Sequence, residues 1–402
     1  MLRKPPEHLN PNKALDAIQE PTWTTLECQL VTPMYGGGVV SHTVDEKMPI
    51  RVSSIRGQLR FWWRLLATNS SDDLWQRDAG LSIRQAEADL WGGIDDKTKA
   101  SKVFLRISYT APFRPISHKD VGAKYVLFPA DNETNASIPH NLVPAGFNWH
   151  LDIAYDNHIQ NKQKQQVWEA IRWWGQFGGL GARTRRGLGA IQIIKINGTD
   201  APPNLRNPIS ANEAQQAGCQ LILRQQVQNN AVDAWKSAIN KLRDFRQSPP
   251  IGRNEGKMHN RPGRSRWPEP DAIRRIAGRH APEHEPQHRA GNLFPRAAFG
   301  LPIIFHFQGR GEPSDSSLQP MLGGSLKERM ASPVILRPYL RADRGWASAA
   351  LLLPHTHVDN LRLQIFKRDA SYWNAEQAPN VQPIARNNGT DALSAFLNYF
   401  AK

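Results

Sequence analysis

Cysteine is nearly absent: the 402 residues contain two, Cys28 and Cys219, far apart and each in apolar surroundings. That spacing supplies neither a disulfide framework nor a thiolate metal site, and it reads as two buried thiols in a reducing compartment. No stretch approaches the ~20 apolar residues of a membrane span. The start, MLRKPPEHLNPNKALDA, has no apolar run, so no secretory leader is expected and the expected location is cytoplasmic. Acid is in deficit, with 36 Asp and Glu against 51 Lys and Arg and a net charge of +15. A balance this basic, with its arginines clustered, favours a polyanionic partner, and without a span no membrane partner is expected.

Motifs for several chemistries are missing too. A phosphate-binding Walker loop needs Gly-Lys-Ser/Thr after its glycines, and none is present. The dinucleotide fingerprint needs a third glycine three residues after the second; those positions are Thr184 and Gln192. His280, His284 and His288 fall four apart, but Pro282 and Pro286 break any helix between them, so no metal site is assigned. His355 and His357 are expected on one strand face with a structural role. His42 has no second His or carboxylate tied to it by spacing, so no catalytic residue is assigned. No cofactor is expected.

What is present centres on Gly178-Gly179-Leu180-Gly181-Ala182-Arg183-Thr184-Arg185-Arg186-Gly187-Leu188-Gly189. A helical pattern leads into it and a strand pattern leaves it. Its glycines, among them Gly179, Gly181 and Gly187, suit positive φ or a close backbone approach. Its arginines, Arg183, Arg185 and Arg186, suit phosphate, whose oxygens a guanidinium meets two at a time. The alternative is a tight turn with solvated arginines.

Before that loop, 22–31 alternates as a half-buried strand, with Thr24, Leu26, Cys28 and Leu30 on one face. It runs into a loop with Gly36, Gly37 and Gly38 in succession, followed by His42. A helix is expected over 54–67, capped by Ser53 or Ser54, with Ile55, Leu59, Trp62 and Leu66 facing the core. Arg56, Arg60 and Arg64 line another arc at i, i+4 and i+8. Like charges at that spacing cost a few tenths of a kcal/mol per pair. Facing carboxylates or bound phosphates would offset that cost. A second helical piece covers 83–91, strands cover 102–109 and 147–155, and 125–128 is apolar without a clear type. A helix over 166–177 and a strand over 189–196 complete the order strand, helix, strand, strand, helix, strand. That order is the ferredoxin-like, RNA-recognition-domain-like arrangement. The surface aromatics that stack bases in such domains are not evident, so contact through loops is expected.

Two blocks carry a family resemblance: GGLGARTRRGLG between helix and strand, and Ser54-Ile55-Arg56-Gly57-Gln58-Leu59-Arg60-Phe61-Trp62-Trp63-Arg64. The first resembles the C-terminal glycine-rich loop of the RAMP superfamily, the RNA-binding proteins of CRISPR-Cas systems. The second resembles one branch, the first-numbered subunit family of the type III-B Cmr effector complex. Arg266-Trp267-Pro268-Glu269-Pro270-Asp271-Ala272-Ile273-Arg274-Arg275 and Ala331-Ser332-Pro333-Val334-Ile335-Leu336-Arg337-Pro338 are similar to the same branch. The resemblance implies tandem ferredoxin-like domains and an RNA-facing first glycine loop. It also implies a non-catalytic subunit, with target cleavage on another, repeated subunit. The implied partners are guide RNA, at its 3′ region, with target RNA, and other Cmr or RAMP subunits in antiviral defence.

The expected fold is therefore α+β with two ferredoxin-like domains, the second heavily decorated. Residues 1–20 are a tail, 21–200 the first domain with loop 178–189, and 208–402 the second. In the second, strands are expected over 220–226, 299–307, 333–340, 347–353 and 361–366, and helices over 231–245 and 391–400. A long irregular basic loop spans about 246–292. Its Arg261, Arg264, Arg266, Arg274 and Arg275 join the other arginines as candidate RNA contacts. Two other functions remain open: an RNA-processing endoribonuclease using His42, and an adaptor whose arginines meet partner proteins.

Overall fold

The computed structural model describes residues 21–38, 43–77, 80–94, 98–131, 140–197, 202–256, 263–359 and 361–402. Seven strands and six helices suffice to place the site. β1 (Thr24–Leu30), β2 (Val103–Tyr109), β3 (Asn148–Tyr155) and β4 (Ile191–Asn197) form one antiparallel sheet in the order β2-β3-β1-β4. α1 (Val52–Asn69) follows β1 and α3 (Asn161–Phe177) follows β3. This is the ferredoxin-like topology that the chain order predicts. Between them, α2 (Ile83–Trp91) spans the residues expected and opens on a capping box between Ser82 and Gln85.

The alternation in β1 sorts as anticipated, with Thr24, Leu26, Cys28 and Leu30 all buried. Trp149, Leu151 and Ile153 of β3 meet them from the neighbouring strand. The helices add Ile55, Leu59 and Trp62 from α1 and Val167, Ile171 and Trp174 from α3. The outer face of the sheet is polar and partly acidic. Asp152 pairs with Arg106 at 2.7 Å and accepts from Thr25 at 2.5 Å, and Glu27 pairs with Lys195 at 3.1 Å.

In the second half, β5 (Gln220–Gln228), β6 (Val334–Leu340) and β7 (Trp346–Leu352) pair in the order β5-β7-β6. With α4 (Ala231–Gln247) after β5, this is a ferredoxin-like β-α-β-β, and among the described residues no fourth strand joins it. The terminal helix α6 (Ala392–Ala401), capped by Asp391, packs on α4 and β5. The decoration is a five-stranded sheet built from Ile303–Phe305, Ser316–Leu322, Ser325–Leu326, Arg362–Ile365 and Arg368–Ser371.

Several details depart from the sequence reading. α1 starts at Val52, two residues earlier than expected. The amides of Ser54 and Ile55 already bond to the carbonyl of Arg51, so neither Ser53 nor Ser54 is the cap. The 125–128 run lies in a helix, Lys124–Asp131. The expected strand over 299–307 is split: Pro295–Phe299 is a 3-10 turn, Gly300 sits at φ 108°, Leu301 makes a single bridge to Met330, and Ile303–Phe305 forms the strand. Within the supposedly irregular 246–292 lies α5 (Glu269–Ala277). His357 lies in the short helix Thr356–Asp359, with His355 just before it, and not on a strand.

Candidate nucleic-acid interface

The two glycine loops lie side by side. After β1, Thr32–Tyr35 turns back against the 178–189 loop through a ladder of long-range bonds. The Thr32 hydroxyl donates to the Gly187 carbonyl at 2.6 Å and accepts from the Ala190 amide at 2.9 Å. The Ala182 amide donates to the Tyr35 carbonyl at 2.7 Å, and the Gly189 amide to the Pro33 carbonyl at 2.8 Å. Gly181, at φ 76°, passes so close to this strand that a Cβ would stand 2.5 Å from the Tyr35 carbonyl oxygen. Gly187, also at φ 76°, packs on the second half: its Cβ would stand 2.5 Å from the Leu336 carbonyl oxygen and 2.5 Å from Trp235. Both positions need glycine for two reasons, backbone conformation and contact. Gly37, Gly181 and Ala182 form the exposed rim, Gly38 is half-buried, and Gly36 and Gly179 are buried.

The loop's three arginines take three different positions. Arg183 sits at φ 60°, an uncommon conformation for a side-chain-bearing residue, on the rim beside Tyr35. Burial holds its guanidinium below the usual value, and Arg329 lowers it further. Arg329 is exposed and close enough to add to the same positive field. Arg186 points into the second half. Its Nη2 donates to the Phe299 carbonyl at 2.7 Å and its Nη1 to the Ser332 hydroxyl at 3.2 Å, while Trp235 Nε1 donates to its carbonyl at 2.7 Å. Burial pushes Arg186 down to about 10. Arg185 turns toward α1 and lies over the Phe61 ring, 5.0 Å from its centroid.

The arginine ladder on α1 is satisfied within the fold. Arg60 and Arg64 both reach Glu87 of α2, at 2.6 and 2.5 Å. Arg56 donates to the Ser101 hydroxyl at 2.7 Å and the Val103 carbonyl at 3.1 Å. Facing groups, not an external phosphate, therefore offset the like-charge repulsion. The basic residues after 246 are likewise employed. Arg264 donates to the Glu285 carbonyl and Arg266 to the Pro250 carbonyl. Arg274 is buried between Asp271, at 3.1 Å, and Glu312, at 2.9 Å. Arg275 holds the carbonyls of Gly291, at 3.1 Å, and His288, at 2.9 Å. These four organise the second half's surface loops. Arg261 and His42 lie outside the described residues.

The three histidines at 280, 284 and 288 do not converge. His284 Nδ1 meets Glu312, His288 Nε2 donates to the Arg266 carbonyl at 3.2 Å, and His280 Nδ1 meets the Ala281 carbonyl at 2.9 Å. Among the described residues no trio of His, Cys, Asp or Glu is placed to hold a metal.

One functional position escaped the sequence reading. Arg337, in β6, is fully buried, and its neighbours are carbonyls. Nη1 donates to Gly178 at 2.8 Å, and Nη2 to Gly175 at 3.3 Å and Ile191 at 2.8 Å. A cation at the C-terminus of α3 complements the helix dipole. The same side chain ties both stems of the glycine loop to the second half. It belongs to the 331–338 block, whose pattern marked the stretch without marking this arginine.

Residues 27–192 match the model of the RAMP superfamily, a span that contains both the α1 block and the glycine loop. No curated protein matches the sequence. Among solved structures, the chain is similar to Cmr1 from Pyrococcus furiosus in its apo form, with 14% identity, 83% of this chain and 88% of that chain covered, and a TM-score of 0.48. It is also similar to a chain of the type III-B Cmr-beta complex bound to cognate target RNA, with 12% identity, coverage of 95% and 100%, and a TM-score of 0.47. A chain of a type IV-B CRISPR complex matches at 13% identity, with coverage of 46% and 95% and a TM-score of 0.33.

Proposed function

We propose, from the similarity of residues 27–192 to the RAMP superfamily model, that this chain is a non-catalytic RNA-binding subunit of a type III-B CRISPR effector complex. It would contact the 3′ region of the guide RNA and the paired target RNA. The observation that carries the reading is that one RAMP match encloses both motif blocks, the α1 arginines and the glycine loop. The net charge of +15 and the exposed rim of Gly37, Gly181 and Ala182, with half-buried Arg183 and exposed Arg329 beside it, support a backbone-tracking contact. Such contacts position a strand without reading its bases. The expected binding is thus steeply salt-dependent and weakly selective for sequence. The test is binding of the full chain to labelled single-stranded RNA across a salt series, with the same samples run on a cleavage gel. Salt-sensitive binding of intact RNA is the expected result. Cut RNA would replace this reading with the endoribonuclease, to be followed through His42→Ala.

A second reading is favoured by the internal pairing of Arg56, Arg60, Arg64 and Arg186. In it the chain is an adaptor without RNA affinity of its own. Tight binding to a sister subunit with no RNA binding at any salt concentration would select it.

A further inference from the structure

The pairing of β2 with β3 sets two flat side chains near one another on the outer face of the first sheet. Phe104 and Arg106 share one face of β2, while Val103, Leu105 and Ile107 of the same strand turn to the core on the other. β2 is an edge strand of that sheet. Phe104 is 36% exposed and lies opposite Ala154, whose methyl cannot cover a ring. The Arg106 side chain is 58% exposed, yet its guanidinium is held in place. Its Nε donates to Asp152 at 2.7 Å, and the group lies over the Trp23 ring, 4.2 Å from its centroid. Asp152 is fixed in turn by the Thr25 hydroxyl. A guanidinium pinned against one ring offers its other face as a flat platform.

A single exposed phenylalanine needs no explanation. Here it stands two residues, about 6.7 Å, along one strand from the Arg106–Trp23 stack, so the sheet presents two platforms side by side. Charge on this face is neutralised within it: Arg106 pairs with Asp152, and Lys195 with Glu27 at 3.1 Å. A phosphate gains little there. An unpaired base gains more, because rings and guanidinium planes cover its π face whatever its identity. We propose that Phe104 and the Arg106–Trp23 stack form a base-stacking site for single-stranded RNA on the outer face of the first sheet, one base on each platform. The site rests on the RNA reading above. Trp23 immediately precedes β1, and β1, roughly 23 Å long, runs from this site to the glycine loops. Bases are held at one end and backbone at the other.

The experiment is binding of the full chain to labelled single-stranded RNA and to an abasic strand of equal length, each across a salt series. In Phe104→Thr, which keeps a strand-forming side chain, RNA affinity should fall about fivefold or more at every salt concentration, with the salt slope unchanged. Phe104→Tyr should bind as wild type does, and the abasic strand should bind wild type and variants alike. Trp23→Leu removes the second platform's ring, with a similar loss expected, and keeps the site testable should Phe104→Thr fold poorly. RNA affinities equal to wild type in both variants would overturn the site and leave the RNA reading standing. An equal loss on the abasic strand would overturn it too, assigning the effect to phosphates or to folding. No binding of either strand by the wild type at any salt concentration would instead remove the RNA reading, and this site with it.

Discussion

Gly187→Ala tests whether the glycine loop is a joint between the two ferredoxin-like units. The residue sits at φ 76°, and its added Cβ would meet backbone, the Leu336 carbonyl oxygen at 2.5 Å, and the Trp235 ring at 2.5 Å. The left-handed conformation costs an L-residue about 1–2 kcal/mol. Forcing a methyl into a packed contact costs about 1–3 kcal/mol more. Neither neighbour yields easily: Leu336 belongs to the central pairing of β6 with β7, and the Trp235 indole is fixed by its bond to the Arg186 carbonyl. The sum is about 2–5 kcal/mol, which for units of this size lowers the melting temperature by roughly 5–15 °C. Gly57→Ala is the control. It lies in α1, and an added Cβ there meets nothing within 4 Å. That substitution should be neutral or stabilise by up to ~1 kcal/mol. Scanning calorimetry of the two variants beside wild type decides. Equal melting of Gly187→Ala and wild type would refute the claim that this loop is clamped between the halves.

Three further outcomes follow from the placement of charge. Glu87→Gln should cost about 1–2 kcal/mol, because one carboxylate serves both Arg60 and Arg64; an unchanged urea midpoint would show that the ladder needs no partner. Arg183→Ala and Arg329→Ala should each reduce the slope of log K against log salt by about 0.7 for single-stranded RNA, whereas Arg275→Ala, whose guanidinium holds the His288–Gly291 loop, should leave it alone; the reverse pattern would move the RNA path to the second half. Asp271 is held below the usual carboxylate range: burial works to raise it, and the amides of Gln287 and His288 with Arg264 and Arg274 more than reverse that. A depressed carboxylate stabilises fully above its unfolded pKa, about 3.9, and loses that stability as pH falls through the folded value. Asp271→Asn should therefore flatten the loss of stability below about pH 4, and coincident acid limbs for variant and wild type would remove Asp271 from that loss.

The first ferredoxin-like unit was legible because its signals are periodic. β1 alternates, α1 and α3 carry apolar arcs, and their order specifies the topology. α5 was equally legible and was missed. Pro268-Glu269-Pro270-Asp271 is a helix start, with proline and acids in the first turn. Arg274 and Arg275 then occupy the last turn and Gly278 the left-handed cap at φ 62°. A surrounding stretch rich in Pro, Gly and Arg hid that pattern. The fourth strand of the second unit was not anticipated as missing, because only pairing in space shows that, among the described residues, nothing continues the sheet beyond β5.

The arginines mark the deeper limit. A guanidinium has five donors and no acceptor, so one residue type serves a phosphate, a carboxylate and a row of carbonyls equally well. At Arg64 the acceptor is Glu87, 23 residues on, and at Arg337 the acceptors are 146 to 162 residues back. No local pattern can encode partners at those separations. The loop itself shows the consequence: Arg183, Arg185 and Arg186 lie within four residues, yet one faces the rim, one the Phe61 ring of α1 and one the second unit. The 3-10 turn Thr184–Arg186, bounded by left-handed residues at Arg183 and Gly187, splays them. Because Arg186 and Arg337 anchor the same loop to the second unit, a ligand drawn to Arg183 meets a rim that both units hold in place. Loosening either anchor should therefore weaken binding at Arg183 without touching it. Arg337→Met is the variant in which to measure this, since it removes the clamp on both loop stems and leaves the rim's charge intact.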